Sequence, residues 1–125
     1  MWKGFVIRKP ALTSRKRAVI IANLASDKKA EDIVVLDMRK IANFCDFFVV
    51  CSGTSDRHVR AIADGIEVGL KDEGLGRFKL EGLKASSWVV CDTGDVVAHV
   101  FHKDAREFYG LDYLWQEATK VKWEK

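Results

Sequence analysis

The sequence predicts an α/β (α+β) domain, a mixed sheet of about five strands flanked by helices. Compact β-branched runs such as Ile33-Val34-Val35-Leu36 and Phe47-Phe48-Val49-Val50 alternate with stretches of helical periodicity. A pair of apolar runs around Thr93-Gly94 reads as a hairpin. The chain has 125 residues, 48% of them hydrophobic and 31% charged, with one proline, which fits a single core and excludes collagen-like, low-complexity and disordered classes.

Residues 1–13 read as a basic arm, with Trp2, Phe5 and Ile7 spaced for an extended piece that Pro10 stops. The domain proper is expected over 14–120, with 121–125 as a C-terminal tail. A first helix follows the arm, with Ser14 as its N-cap and an apolar face of Val19, Ile20, Asn23 and Leu24 reaching about Lys29. Ile33 to Asp37 and Asp46 to Cys51 read as strands buried on both faces. A second helix from Asp56 to about Glu73 places Val59, Ile62, Ala63, Ile66 and Leu70 on one face, and Gly74 ends it. Phe78 to Glu81 is a weak strand. Trp88 to Asp92 and Asp95 to Phe101 are the hairpin strands, joined by a two-residue turn with glycine second. Lys103 to Tyr109 forms a short helix broken at Gly110, and Leu111 to about Lys120 another. No internal repeat or linker divides the chain.

Charge is unevenly spread. The formal net charge is +3, yet residues 1–26 hold six basic groups and no acid, leaving fifteen basic and eighteen acidic groups in the rest. An acid-poor basic N-terminus suits an organelle transit peptide, but serine is scarce and the early apolar run Phe5-Val6-Ile7 is too short for a secretory signal. No stretch has membrane length, so a soluble protein of the cytoplasm is expected, with an organelle as the alternative. Cys45, Cys51 and Cys91 lack a C-x-x-C pair and read as buried thiols in a reducing compartment.

Candidate chemistry is sparse. Ser52-Gly53-Thr54-Ser55 lies where a strand hands over to a helix, a place where free backbone N–H groups can hold an anion. It lacks the lysine and glycine spacing of a P-loop, so the favoured reading is that Ser55 caps the helix and Gly53 permits a tight turn. Nucleotide binding through this turn is kept as the alternative function. Nucleotidyltransferase chemistry needs carboxylates on the sheet to hold magnesium, and Asp64 and Glu67 fall on a helix while Asp92 and Asp95 flank a turn. His58, His99 and His102 lack converging donors for a metal, and His99 shares a strand face with Val97 and Phe101 as a packed or interface residue. No catalytic residue, cofactor or metal is expected. Trp88, Phe101, Phe108, Tyr109, Tyr113 and Trp115 gather nearly half of the aromatic residues in the C-terminal third. Either all pack on the sheet, or some stay outside as an aromatic patch of the kind that marks a protein interface, including one that pairs two copies.

Four segments resemble one family: 32–37 (Asp-Ile-Val-Val-Leu-Asp), 46–59 through Ser52-Gly53-Thr54-Ser55 and Arg57-His58-Val59, 88–101 through Trp88 and His99, and 106–115 through Tyr109-Gly110-Leu111. In order and spacing, from about Ser14 to Ala118, the chain is similar to the ribosomal silencing factors, also called Iojap-like. The resemblance implies a nucleotidyltransferase-like topology without catalytic carboxylates. It implies a non-enzymatic factor that binds ribosomal protein fourteen of the large subunit, blocks joining of the small subunit under nutrient limitation and takes part in large-subunit maturation. It places Trp88, Tyr109 and Leu111 at the contact, with Asp95, His99, Leu114 and Trp115 as weaker neighbours. Thr93, Ala98 and Asp112 depart from common family residues, and none removes a contact. A monomer is expected on the ribosome, with a homodimer as the free-state alternative, no membrane association, and a minor rRNA contact by the basic arm.

Overall fold

A computed structural model describes residues 13–75, 77–110 and 116–124, with the backbone alone at 107–109. Six strands form one sheet: β1 Glu31–Asp37, β2 Phe47–Gly53, β3 Lys79–Glu81, β4 Trp88–Asp92, β5 Val96–His102 and β6 Thr119–Val121. Their order is β3-β4-β5-β2-β1-β6, with β2 and β5 parallel and every other neighbouring pair antiparallel. Among the described residues three helices complete the fold: α1 Ser14–Asp27, α2 Asp56–Asp72 and α3 Lys103–Tyr109. The mixed α/β class is as expected. The sixth strand is a correction, because Thr119 and Lys120, read as the end of a helix, pair with Asp37 and Leu36 of β1.

Helix α2 follows its periodicity. Val59, Ile62, Ala63, Ile66 and Leu70 are buried, and the Ser55 hydroxyl accepts from the His58 N–H as N-cap. Helix α1 differs in two details. Its cap is Thr13, in extended conformation and accepting from the Lys16 N–H, while Ser14 turns its hydroxyl to Asp46 across 2.8 Å. Its buried stripe is Ala18, Ile21, Ala22 and Ala25, one step round from the expected Val19, Ile20, Asn23 and Leu24, which are half-buried flanks. Alanines win the inner face because the two helices approach closely: a Cβ on Gly69 of α2 would stand 2.2 Å from Leu24 Cδ2.

Every residue of β2 is buried, as its apolar run predicts for a strand covered on both faces. Strand β1 is less enclosed, since Glu31 and Asp32 are exposed and the register with β2 slips between Glu31 and Val34. Asp32 takes a left-handed φ of 49° in this bulge. The hairpin turn is also shifted by one residue. The Thr93 N–H donates to the Val96 carbonyl at 2.9 Å, so Gly94 and Asp95 are the central residues and glycine stands first, with φ 98°. That position is where a type II′ turn requires it.

Alternation along the strands divides the core in two. Val35, Phe47, Val49, Cys51, Val89 and Val100 face α1 and α2. Leu36, Phe48, Val50, Val97 and Phe101 face the other side, joined by Met38 and Cys45 from the β1–β2 connection and by half-buried Ala105 of α3. The second face carries the aromatic and histidine side chains that define the site.

Candidate functional site

Antiparallel pairing sets Trp88 opposite Phe101 and Val90 opposite His99. The Trp88 side chain then leans diagonally onto His99, and its indole N–H donates to His99 Nδ1 across 3.0 Å. Accepting at Nδ1 leaves the neutral ring's proton on Nε2, a buried atom that meets no hydrogen-bond partner among the described residues. Only 6% of His99 is exposed, and burial pushes its pKa down to about 4, against a smaller upward pull from Asp92. Phe48 tilts against the imidazole with centroids 4.5 Å apart, and Trp88 stacks on Phe101 at 5.0 Å. His99 is thus a packed residue that fixes a half-buried tryptophan.

Helix α3 borders this cluster. His102 is its N-cap, and it ends at Gly110 in the left-handed region at φ 57°. Its Arg106 donates to the Ser52 hydroxyl at 3.0 Å and to the Asp32 carbonyl, tying the helix to the ends of β2 and β1 and holding the bulge. Tyr109 is the last residue of α3. Leu111, Leu114 and Trp115, with most of the helix expected after Gly110, lie outside the described residues, as does the arm before Thr13.

Asp95 belongs to the opposite end of the sheet. Its carboxylate receives Arg17 Nη1 at 2.7 Å on each oxygen, and its carbonyl accepts from the Asp46 and Phe47 N–H groups at 2.7 and 3.2 Å. Trp88 and His99 therefore come together with the start of α3, and Asp95 does not join them. Phe48 and Arg106 were not expected at the site. The signal for Phe48 is its place two residues before Val50, which the parallel register sets beside His99. That register joins segments about fifty residues apart, so nothing local in the sequence reveals it.

The turn at 52–55 is occupied by the protein itself. The Thr54 N–H donates to His58 Nδ1 at 2.8 Å, so the His58 Nε2–H is the donor to the Lys28 carbonyl at 2.8 Å. A Cβ on Gly53 would stand 2.9 Å from the Val59 nitrogen. These contacts support the cap-and-turn reading of Ser55 and Gly53 over an anion cradle. Cys45, Cys51 and Cys91 are buried free thiols whose pKa values burial raises to about 11, 12 and 12, which makes them inert hydrophobes. Among the described residues no group of three His, Cys, Asp or Glu could hold a metal ion, and no helix is long and apolar enough to cross a membrane.

Comparison with known proteins gives the family of the chain. The family model described as ribosomal silencing factor during starvation matches residues 11–125. The chain is 40% identical over 113 residues to the ribosomal silencing factor RsfS of Halalkalibacterium halodurans, covering 90% of this chain and 97% of that one. It is 32% identical over 99 residues to the mouse protein named mitochondrial assembly of ribosomal large subunit protein 1, covering 77% of this chain and 43% of that one. A crystal structure of a Chromobacterium violaceum protein superposes with a TM-score of 0.81 at 31% identity, over 89% of this chain and 92% of that one. The chain belongs to the RsfS (Iojap-like) family of ribosomal silencing factors, regulatory proteins of translation and not enzymes.

Proposed function

We propose that this chain silences by occupancy. It binds ribosomal protein fourteen on the joining face of the large subunit and excludes the small subunit, slowing translation when nutrients are short. The same contact serves large-subunit maturation, in keeping with the name of the mouse relative. The observation that carries this reading is the Trp88–His99 pair beside α3. A half-buried indole, fixed by a hydrogen bond at one edge and stacked on Phe101, presents aromatic area without the entropy cost of ordering a mobile side chain.

In this reading Trp88 and Tyr109 are the anchors and Leu111 extends the contact from the chain after α3. His99 positions Trp88, Leu114 and Trp115 are weaker neighbours, and Asp95 is an outlying contact because its carboxylate is already held by Arg17. Fifteen basic against eighteen acidic groups beyond residue 26 suit a basic ribosomal protein better than RNA, while Lys3, Arg8 and Lys9 give the N-terminal arm a minor rRNA contact. The scaffold is read as a nucleotidyltransferase-like sheet that has lost its chemistry: no described strand carries an Asp-x-Asp pair. The proposed setting is the cytoplasm, with an organelle as the alternative, and the bound form is a monomer.

Calorimetry with purified ribosomal protein fourteen tests the contact. Trp88→Ala is expected to weaken binding by about 2 kcal/mol, roughly thirtyfold, while leaving a folded protein. Affinity as tight as the parent's in both Trp88→Ala and Tyr109→Ala would remove this site from the account.

A further inference from the structure

The loop that joins β3 to β4, residues 82–87, is held more tightly than a surface connection needs. Residues 82–85 are exposed, yet Ser86 is fully buried. The Ser86 N–H donates to the Gly82 carbonyl at 3.1 Å and closes a single turn. Both residues take left-handed backbone, with φ 90° at Gly82 and 57° at Ser86. At Gly82 only glycine fits, because a Cβ there would overlap the Trp88 carbonyl oxygen. The far end of the loop is tied as well, since the Ser87 carbonyl accepts from the His102 N–H at 2.9 Å, where β5 passes into α3. Its two ends are therefore fixed to the backbone of Trp88 and to the start of α3, the two elements that border the proposed contact.

Ser86 is the informative residue. Glycine would close the same turn in a left-handed conformation without steric cost, whereas a serine there is strained. What serine adds is its hydroxyl, which donates to the Leu83 carbonyl at 2.9 Å. That bond fixes a leucine that is 36% exposed and belongs to neither core. A strained residue thus holds in one place an apolar side chain that faces water, next to the half-buried tryptophan. Backbone strain kept in this way marks a side chain that has to be presented.

We infer that Leu83 is a further contact of the partner surface, beside Trp88, and that Ser86 is its positioning residue: the leucine enters an apolar hollow of the ribosomal protein and shields the Trp88 contact from water. The inference rests on the proposed contact with ribosomal protein fourteen and extends that site from β4 toward the edge strand β3.

Calorimetry of the full chain with purified ribosomal protein fourteen is the measurement. Leu83→Ala is expected to weaken binding about tenfold. Leu83→Asn, similar in volume but polar, should lose at least as much, and Leu83→Met, which stays apolar, no more than about twofold. Ser86→Gly keeps the turn and removes only the hydroxyl, so it is expected to weaken binding about threefold in the parent chain and not at all in Leu83→Ala. A merely structural serine would lower affinity equally in both backgrounds, and that result would overturn the role of Ser86. Thermal unfolding of each variant confirms its fold. Affinity as tight as the parent's in both Leu83→Ala and Leu83→Asn, with binding weakened in Trp88→Ala, would overturn the inference and leave the proposed contact standing. No binding by the parent chain, or parental affinity in both Trp88→Ala and Tyr109→Ala, would remove the proposed contact and this extension with it.

Discussion

The Trp88 indole N–H and His99 Nδ1 lie 3.0 Å apart across the β4–β5 ladder, and this one bond couples the most buried histidine of the sheet to the aromatic side chain proposed as the anchor. A neutral imidazole accepts that proton and an imidazolium, with both nitrogens protonated, does not. The orientation of Trp88 therefore depends on His99 remaining uncharged.

Stability should depend on pH through this residue. His99 has its pKa depressed to about 4 in the fold, against 6.5 when unperturbed. Between those values the unfolded chain binds the extra proton, so the contribution is whole above about pH 6.5 and is lost as pH falls toward 4, by about 3 kcal/mol at most. Urea unfolding at pH 7 and pH 4.5 should show the drop in the parent chain and a much flatter response in His99→Phe. That variant gives up about 1 kcal/mol at pH 7, because the indole N–H loses its acceptor. An equal pH dependence in both proteins would contradict the assignment.

The Arg17–Asp95 pair anchors the hairpin turn to α1. With side chains 21% and 36% exposed, solvent screening holds its worth to about 1 kcal/mol despite the two-point geometry. A double-mutant cycle of Arg17→Ala and Asp95→Ala should return a coupling of that size, shrinking in high salt. Zero coupling would mean that the pair is incidental. In partner binding, Asp95→Ala should cost far less than Trp88→Ala.

Gly53 should tolerate no side chain. Its added Cβ would lie 2.9 Å from both the Val59 nitrogen and Val59 Cγ2, and the helix backbone cannot move aside cheaply. Gly53→Ala is expected to cost about 1 to 3 kcal/mol, and Ser55→Ala about 1 kcal/mol through the lost cap. Thermal unfolding reads both. The parent chain should give no heat with ATP or GTP and magnesium, since the turn's own contacts occupy it. Saturable nucleotide binding abolished by Ser55→Ala would reverse this reading.

Much of the architecture was legible because it is local. The β-branched runs at 33–37 and 47–51, the periodicity of α2 and the hairpin all announce themselves within short windows. Features that depend on distant partners were not. Strand β6 is three residues long and exists because β1 has a free edge about eighty residues earlier. Trp123, read as tail, packs on the first core and reaches the Ile33 carbonyl with its indole N–H at 3.3 Å. The inward stripe of α1 is hard to read from sequence because alanine carries little hydrophobic weight, yet it is what a close helix contact selects. At the site, the Trp88–His99 bond is not legible, because in the observed register the two are diagonal neighbours, Trp88 opposite Phe101 and His99 opposite Val90, and the contact depends on the lean of the indole across the ladder. The family resemblance carried the function, since no residue pattern by itself points to a ribosome.

Sucrose-gradient sedimentation with isolated large subunits, followed by addition of small subunits, tests the central claim most directly. The parent chain should travel with the large subunit and hold the two subunits apart, while Trp88→Ala, folded as judged by its circular dichroism, should remain at the top of the gradient and allow joining. Full blocking of subunit joining by Trp88→Ala and Tyr109→Ala together would contradict the account.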